Sequence, residues 1–260
     1  MTAFEYLIGK VAQSRAGAGY NAFRFCAGRA KWVTGTVSLN DARFLFHAAT
    51  QARVSHVVEL GTGSGFTAGL LCYALHLNHR SGNIGPDFDI VTYDASLTWY
   101  DDSKRRVGDA AREQLPPALL RRITFRNPAT ALDIARDYAA DSIEFLFIDA
   151  NHRHPWPALD LIALLDALRP GATVVLHDIN LPLVKPEFQD WGAKYLFDGL
   201  ETTKDVPYGR RVPNIGRFMI PEDKARLKAQ ILDVLVRHKW DEDPRVTCRP
   251  DYLEEIGITI

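Results

Sequence analysis

Five short runs, residues 54–60, 90–94, 123–126, 145–149 and 173–177, are apolar on both faces and recur through the middle of the chain. Between them, residues 67–78, 100–114, 129–140 and 156–168 carry apolar positions at helical spacing. Short runs buried on both faces are the mark of a parallel sheet covered by helices. Alternating strand and helix units imply parallel strands joined by right-handed crossovers. Arg169-Pro170-Gly171 reads as a helix stop with Gly171 as C-cap. Residues 215–220 predict a further strand and 223–240 a final amphipathic helix.

The C-terminal ends of such strands are where ligands bind. Here those ends carry Glu59, Asp94, Asp149 and the pair His177-Asp178. The first strand runs into a glycine-rich turn, VVELGTGSGFTAGLL at residues 57–71, with Gly61, Gly63 and Gly65 at every second position. Glycine allows positive φ and close approach of a ligand, and the free N–H groups of the next helix favour a negative group. A dinucleotide turn has the spacing G-x-G-x-x-G and an acid about 20 residues on. In this chain the spacing is G-x-G-x-G and an acid precedes the first glycine. A nicotinamide-dependent oxidoreductase is therefore the weaker reading of the loop.

Composition narrows the class. The chain has 260 residues, 47% hydrophobic and 24% charged, with a formal net charge of −1. That balance suits a soluble globular protein and supplies no overall field toward nucleic acid or a membrane surface. Cys26, Cys72 and Cys248 are far apart, and no C-x-x-C pair occurs. This argues against a disulfide framework or a zinc site and for a reducing, cytoplasmic setting. No apolar run approaches the length of about 20 residues that a membrane span needs.

Two segments flank the predicted sheet. Residues 1–50 read as an N-terminal helical extension or cap, with Ser38 as N-cap of a helix. It carries Lys10, Arg15, Arg24, Arg29 and Lys31 among Tyr20, Phe23, Phe25 and Trp32, with no acid between Glu5 and Asp41. Such an arm covers or binds an acceptor, or is a solvated arm of a homodimer. Residues 51–260 form the main domain. Within it, 181–214 is rich in Pro182, Pro186, Pro207, Pro213 and aromatic residues. It reads as a lid-like insertion or as a packed excursion with its own helix or edge strand.

The glycine loop, with IVTYDAS, FRNPATALD and FLFIDANHRHPWPALDLIALLDALRPGATVVLHDI in order, resembles class I S-adenosylmethionine (SAM) methyltransferases. The last stretch is similar to that of small-molecule O-methyltransferases, the catechol-type enzymes and the bacterial group acting on sugars and natural products. The resemblance spans about residues 38–180. It implies an α/β fold, a Rossmann-like doubly wound, mostly parallel seven-stranded sheet with helices on both faces. It also implies SAM at Glu59, Gly61, Thr62, Gly63, Gly65 and Thr67, with Asp94 and Ala95 at the ribose, Asn127 and Ala129 at adenine, and Asp149 near the sulfonium.

The same resemblance implies a hydroxyl acceptor on a sugar, phenol or natural product. His152 stands where relatives have a basic lysine and is the candidate base, with Asp149 and His177 beside it as candidate catalytic residues. His152 could instead cap the following helix, and His177 could be a base, a ligand or a structural residue. Asp149, Asp178 and Asn180 are the candidate ligands of Mg²⁺ or another divalent cation. Relatives have an amide next to the second acid; here Ile179 takes that place, and His177 replaces an acid. A set of Asp149, His152, His177 and Asp178 would suit a softer ion. A SAM-binding protein without turnover is the alternative to an enzyme.

Overall fold

The computed structural model describes residues 18–209 and 212–258. The chain divides into two compact units, Met1–Pro128 and Ala129–Ile260. Lys10 and Arg15 of the basic arm lie outside the described residues.

The first unit is built on three parallel strands: β1 (His56–Leu60), β2 (Asp89–Tyr93) and β5 (Ile123–Arg126), in the order β5-β2-β1. Val57 pairs with Ile90 and Glu59 with Thr92, so the β1 and β2 ends lie side by side. Helix α1 (Ala18–Ala27) and helix α2 (Leu39–Ala52) precede β1, and α3 (Phe66–Arg80) follows it. Ser38 caps α2 by accepting from the Asp41 N–H. Helix α3 buries twelve of its fifteen residues, which explains its nearly all-round apolar sequence. Phe25 stacks on Phe66 at 5.2 Å, and a Cβ on Gly69 would meet the Phe25 ring at 2.5 Å. Burying a side chain such as Phe66 stabilises by about 1.5–3 kcal/mol.

The helix expected over residues 100–114 is replaced in its first half by a hairpin. Strands β3 (Thr98–Trp99) and β4 (Asp102–Arg106) pair antiparallel, and only α4 (Asp109–Gln114) and the short α5 (Pro117–Leu120) are helical. Asp102-Ser103-Lys104-Arg105-Arg106 has no apolar stripe to bury as a helix. Trp99 instead packs edge-on to Trp32 at 5.3 Å, and the Arg105 guanidinium lies 3.8 Å over Trp32. Gly108, with φ +86°, ends the hairpin and opens α4.

The second unit holds β6 (Ile143–Ile148), β7 (Leu168–His177), β8 (Lys204–Asp205) and β9 (Ile215–Met219), in the order β6-β7-β9-β8. Strands β6 and β7 are parallel, while β9 runs antiparallel to β7 and to β8. With the first unit this makes seven strands of the mostly parallel class that the sequence predicts. The helices are α6 (Ala131–Asp137), α7 (Trp156–Leu164), α8 (Leu181–Val184), α9 (Gly192–Gly199), α10 (Lys224–Arg237), α11 (Pro244–Thr247) and α12 (Tyr252–Glu255).

Arg169-Pro170-Gly171 is not a helix stop. Helix α7 ends at Leu164, and the tripeptide lies inside β7. Leu168 pairs with Ile143 and Thr173 with Phe145, so residues 169–172 bulge out opposite Glu144. A bulge tolerates a proline that has no N–H, and Gly171 at φ +81° turns its own N–H onto Ile220 C=O at 2.8 Å. Between residues 181 and 214, α8, α9 and edge strand β8 are formed, as in the packed alternative. No helix among the described residues is long and apolar enough to cross a membrane.

Candidate cofactor loop and candidate catalytic cluster

The glycine turn leaves β1 after Leu60 and delivers the chain to α3. Gly61 and Thr62 both donate their N–H to Tyr93 C=O, at 2.8 and 3.3 Å, tying the turn to the end of β2. Gly61, Gly63 and Gly65 have φ of +100°, +49° and +84°. A residue with a Cβ would lose about 1–2 kcal/mol at each left-handed position. The three differ in surroundings. A Cβ on Gly65 would stand 2.7 Å from Gly108 Cα, whereas one on Gly63 would meet nothing within 4 Å. Gly108 and Ala110 donate to Gly63 C=O and Ser64 C=O at 3.0 and 2.8 Å, so the loop rests on the backbone that follows β4.

Asp94 follows β2 and turns back to the loop. Its carboxylate accepts from the Gly63 N–H at 2.8 Å and from the Ser96 N–H at 2.8 Å. Burial pushes its pKa up, and the two N–H donors only partly offset that. Glu59 is fully buried in β1 and accepts from the Thr92 hydroxyl at 2.5 Å, which in turn meets the Thr62 hydroxyl at 2.5 Å. The acid before the glycines thus acts on the loop through two threonines, and Thr92 is a link that the sequence reading missed. It was readable only from the register that sets Thr92 against Glu59. Thr67 is buried in the first turn of α3, Ala95 is exposed, and Asn127 donates to Ser96 C=O at 3.4 Å. Ala129, the other adenine candidate, opens the second unit.

In the second unit, Ile148 of β6 lies in register with Leu176 of β7. That register sets Asp149 beside His177, whose Nδ1 is 3.0 Å from Asp149 Oδ1. Asp178 follows with φ +58°, a left-handed conformation uncommon for residues other than glycine. Its Oδ2 lies 2.9 Å from His152 Nε2 and 3.4 Å from His177 Nδ1. His152 Nε2 is 3.9 Å from Asp149 Oδ1. The His152 loop is pinned from behind. Gly192 N–H donates to His152 C=O at 2.9 Å, and a Cβ on Gly192 would lie 2.7 Å from that oxygen. Arg153 pairs with Asp190 and Glu242. His154, in the same loop, is fully buried and edge-on to Tyr195.

These four side chains neutralise one another. Burial alone would lower the pKa of His152, but Asp178, and then Asp149, more than reverse it and the net shift is upward. His177 is likewise penalised by burial and raised well above its ordinary value by Asp149 and Asp178. Burial acts to raise Asp178, yet His177 and His152 hold its carboxyl well below the usual range.

The metal candidates divide. Donor atoms of Asp149, His152 and Asp178 lie within 4.8 Å of one another. Asn180 is turned away: its Nδ2 donates to Pro213 C=O at 2.6 Å, and its Oδ1 accepts from Lys194 at 3.1 Å. Ile179 is buried and offers no donor. Two carboxylates and an imidazole suit a divalent transition ion better than Mg²⁺, which prefers oxygen. Sequence reading also missed Asn214, which is buried and donates to Asp178 Oδ1.

Residues 58–179 match the family model described as a methyltransferase domain. No curated protein matches. Solved structures with this fold include an O-methyltransferase from Bacillus cereus in complex with S-adenosylhomocysteine (SAH), 16% identical, TM-score 0.53, covering 84% of this chain and 98% of that one. Another is a SAH-bound methyltransferase from Podospora anserina, 13% identical, TM-score 0.52, covering 84% and 95%. A third is a Streptomyces achromogenes O-methyltransferase of tomaymycin synthesis in complex with SAM, 18% identical, TM-score 0.50, covering 85% and 100%. Residues 58–179 therefore match a methyltransferase domain, and the chain shares the fold of these SAM- and SAH-bound structures.

Proposed function

We propose that the protein moves the methyl group of SAM to a hydroxyl of a small molecule, with His152 as the base. The observation that carries this reading is the 2.9 Å contact of His152 Nε2 with Asp178 Oδ2. An ionised carboxylate only accepts, so Nε2 holds the proton and Nδ1 is the nitrogen left to take one from an acceptor. Methyl transfer from a sulfonium is an in-line displacement. The acceptor oxygen must be held about 3 Å from the methyl and relieved of its proton. In the first unit, Gly63 and the start of α3 supply free space and helix-terminal N–H groups suited to the carboxylate of SAM. Asp94 supplies a carboxylate suited to the ribose hydroxyls.

An ion held by Asp149, His152 and Asp178 would supply Lewis-acid polarisation of an acceptor oxygen. The acceptor class is supported by the segment after Asp178. Leu183, Val184, Phe188, Val206 and Tyr208 are all exposed there, a surface suited to an apolar or aromatic acceptor. Calorimetric titration with SAH, with NAD⁺ as control, tests the cofactor. Binding of SAH alone supports the reading, and binding of NAD⁺ alone would overturn it. With SAH binding established, turnover of small phenols by a His152→Gln variant tests the base: a rate equal to wild type would remove His152 from that role.

A further inference from the structure

Asp178 has two oxygens and two kinds of neighbour. Its Oδ2 meets the imidazoles of His152 and His177 at 2.9 and 3.4 Å. Its Oδ1 accepts from the side-chain amide of Asn214, a residue only 8% exposed that lies just before β9. The orientation of that amide is set by a second bond. The Asn180 N–H donates to Asn214 Oδ1 at 3.2 Å, so Nδ2 is the end that faces Asp178. A third bond joins the same two segments, from the Ile179 N–H to Asn214 C=O at 3.3 Å. Asn214 therefore holds both the carboxylate of Asp178 and the two residues that follow its left-handed backbone at φ +58°.

A left-handed Asp is held only where its surroundings over-determine it. Among the described residues, the Asn214 amide is the hydrogen bond made to Oδ1, and it favours the rotamer that presents Oδ2 to His152. A hydrogen bond to a charged group is among the stronger ones and is enough to decide a rotamer.

We propose that Asn214 is a positioning residue. Its amide orients Asp178, and through Asp178 it fixes the ring of His152. This rests on the reading of His152 as the base, and it describes the cluster without an ion.

The test uses full-length protein labelled with ¹⁵N-histidine, at one fixed pH. Imidazole N–H signals are assigned by His152→Gln and His177→Gln. In Asn214→Ala the His152 Nε2–H signal should be displaced or lost, while the affinity for SAH stays at the wild-type value. Asn214→Asp keeps the shape and the acceptor for the Asn180 N–H but removes the donor, and it gives the same result if Asn214→Ala does not fold. A His152 signal unmoved in either folded variant overturns the proposal, and so does failure of both variants to fold, which would make Asn214 a folding residue. Absence of SAH binding by the wild type would instead sink the functional reading and leave the His152 signal to judge Asn214 by itself.

Discussion

Gly65 and Gly108 meet backbone to backbone, with room for no Cβ between them. The three glycines of the loop share one spacing but not one task. Gly65 admits the turn after the β3–β4 hairpin, while Gly63 faces open space. Gly65→Ala should cost about 3 kcal/mol, because a left-handed φ and a backbone collision add. Gly63→Ala should cost about 1–2 kcal/mol from φ alone. Urea unfolding of the two variants measures both. Equal losses would show that the Gly108 contact has no energetic weight.

Asp94→Ala removes the acceptor of the Gly63 N–H as well as the carboxylate expected at the ribose. The affinity for SAH should fall by about ten- to a hundredfold, as for loss of a hydrogen bond to a charged group. Calorimetry reads this directly. Affinity kept in a folded variant would move the ribose site elsewhere.

Removing Asp178 should be costly to the fold. It would leave His152 and His177 facing Asp149 alone, with the Asn214 amide unmatched. Breaking a buried ion pair costs about 3–5 kcal/mol. Asp178→Ala should therefore unfold at lower urea than wild type, and His152→Gln, which removes a half-buried partner, should lose less. The reverse order would show that Asp178 is not the centre of the network.

Much of this was legible before any coordinates. The strand-end acids and the glycine turn follow from local rules, since a short apolar run and a positive φ each leave a residue signature. The candidate cluster was legible as residue types at two strand ends. What escaped depended on contacts across the chain. Thr92 and Asn214 act through partners 33 and 36 residues away, and no local pattern marks them. The hairpin at residues 98–106 escaped because Trp32, far back in the chain, supplies the surface it packs on. Arg169-Pro170-Gly171 misled because glycine and proline punctuate a bulge and a helix end alike.

Asp160 lies on α7, only 6% exposed, and burial pushes its pKa up to about 7. In the unfolded chain an Asp titrates near 3.9. Between these values the folded state holds a proton that the unfolded chain has released, so stability falls as pH rises through this window. Below about pH 4 both states are protonated and Asp160 has no such cost; above about pH 7 the cost is complete. Each unit is worth about 1.4 kcal/mol, so the whole effect is a few kcal/mol at most. Asp160→Asn should therefore be more stable than wild type at pH 8, with the advantage shrinking to nothing near pH 4. Urea melts of both proteins across that range decide it. A difference that does not change with pH would mean that Asp160 is already charged in the fold, stabilised by a partner that Asn cannot replace.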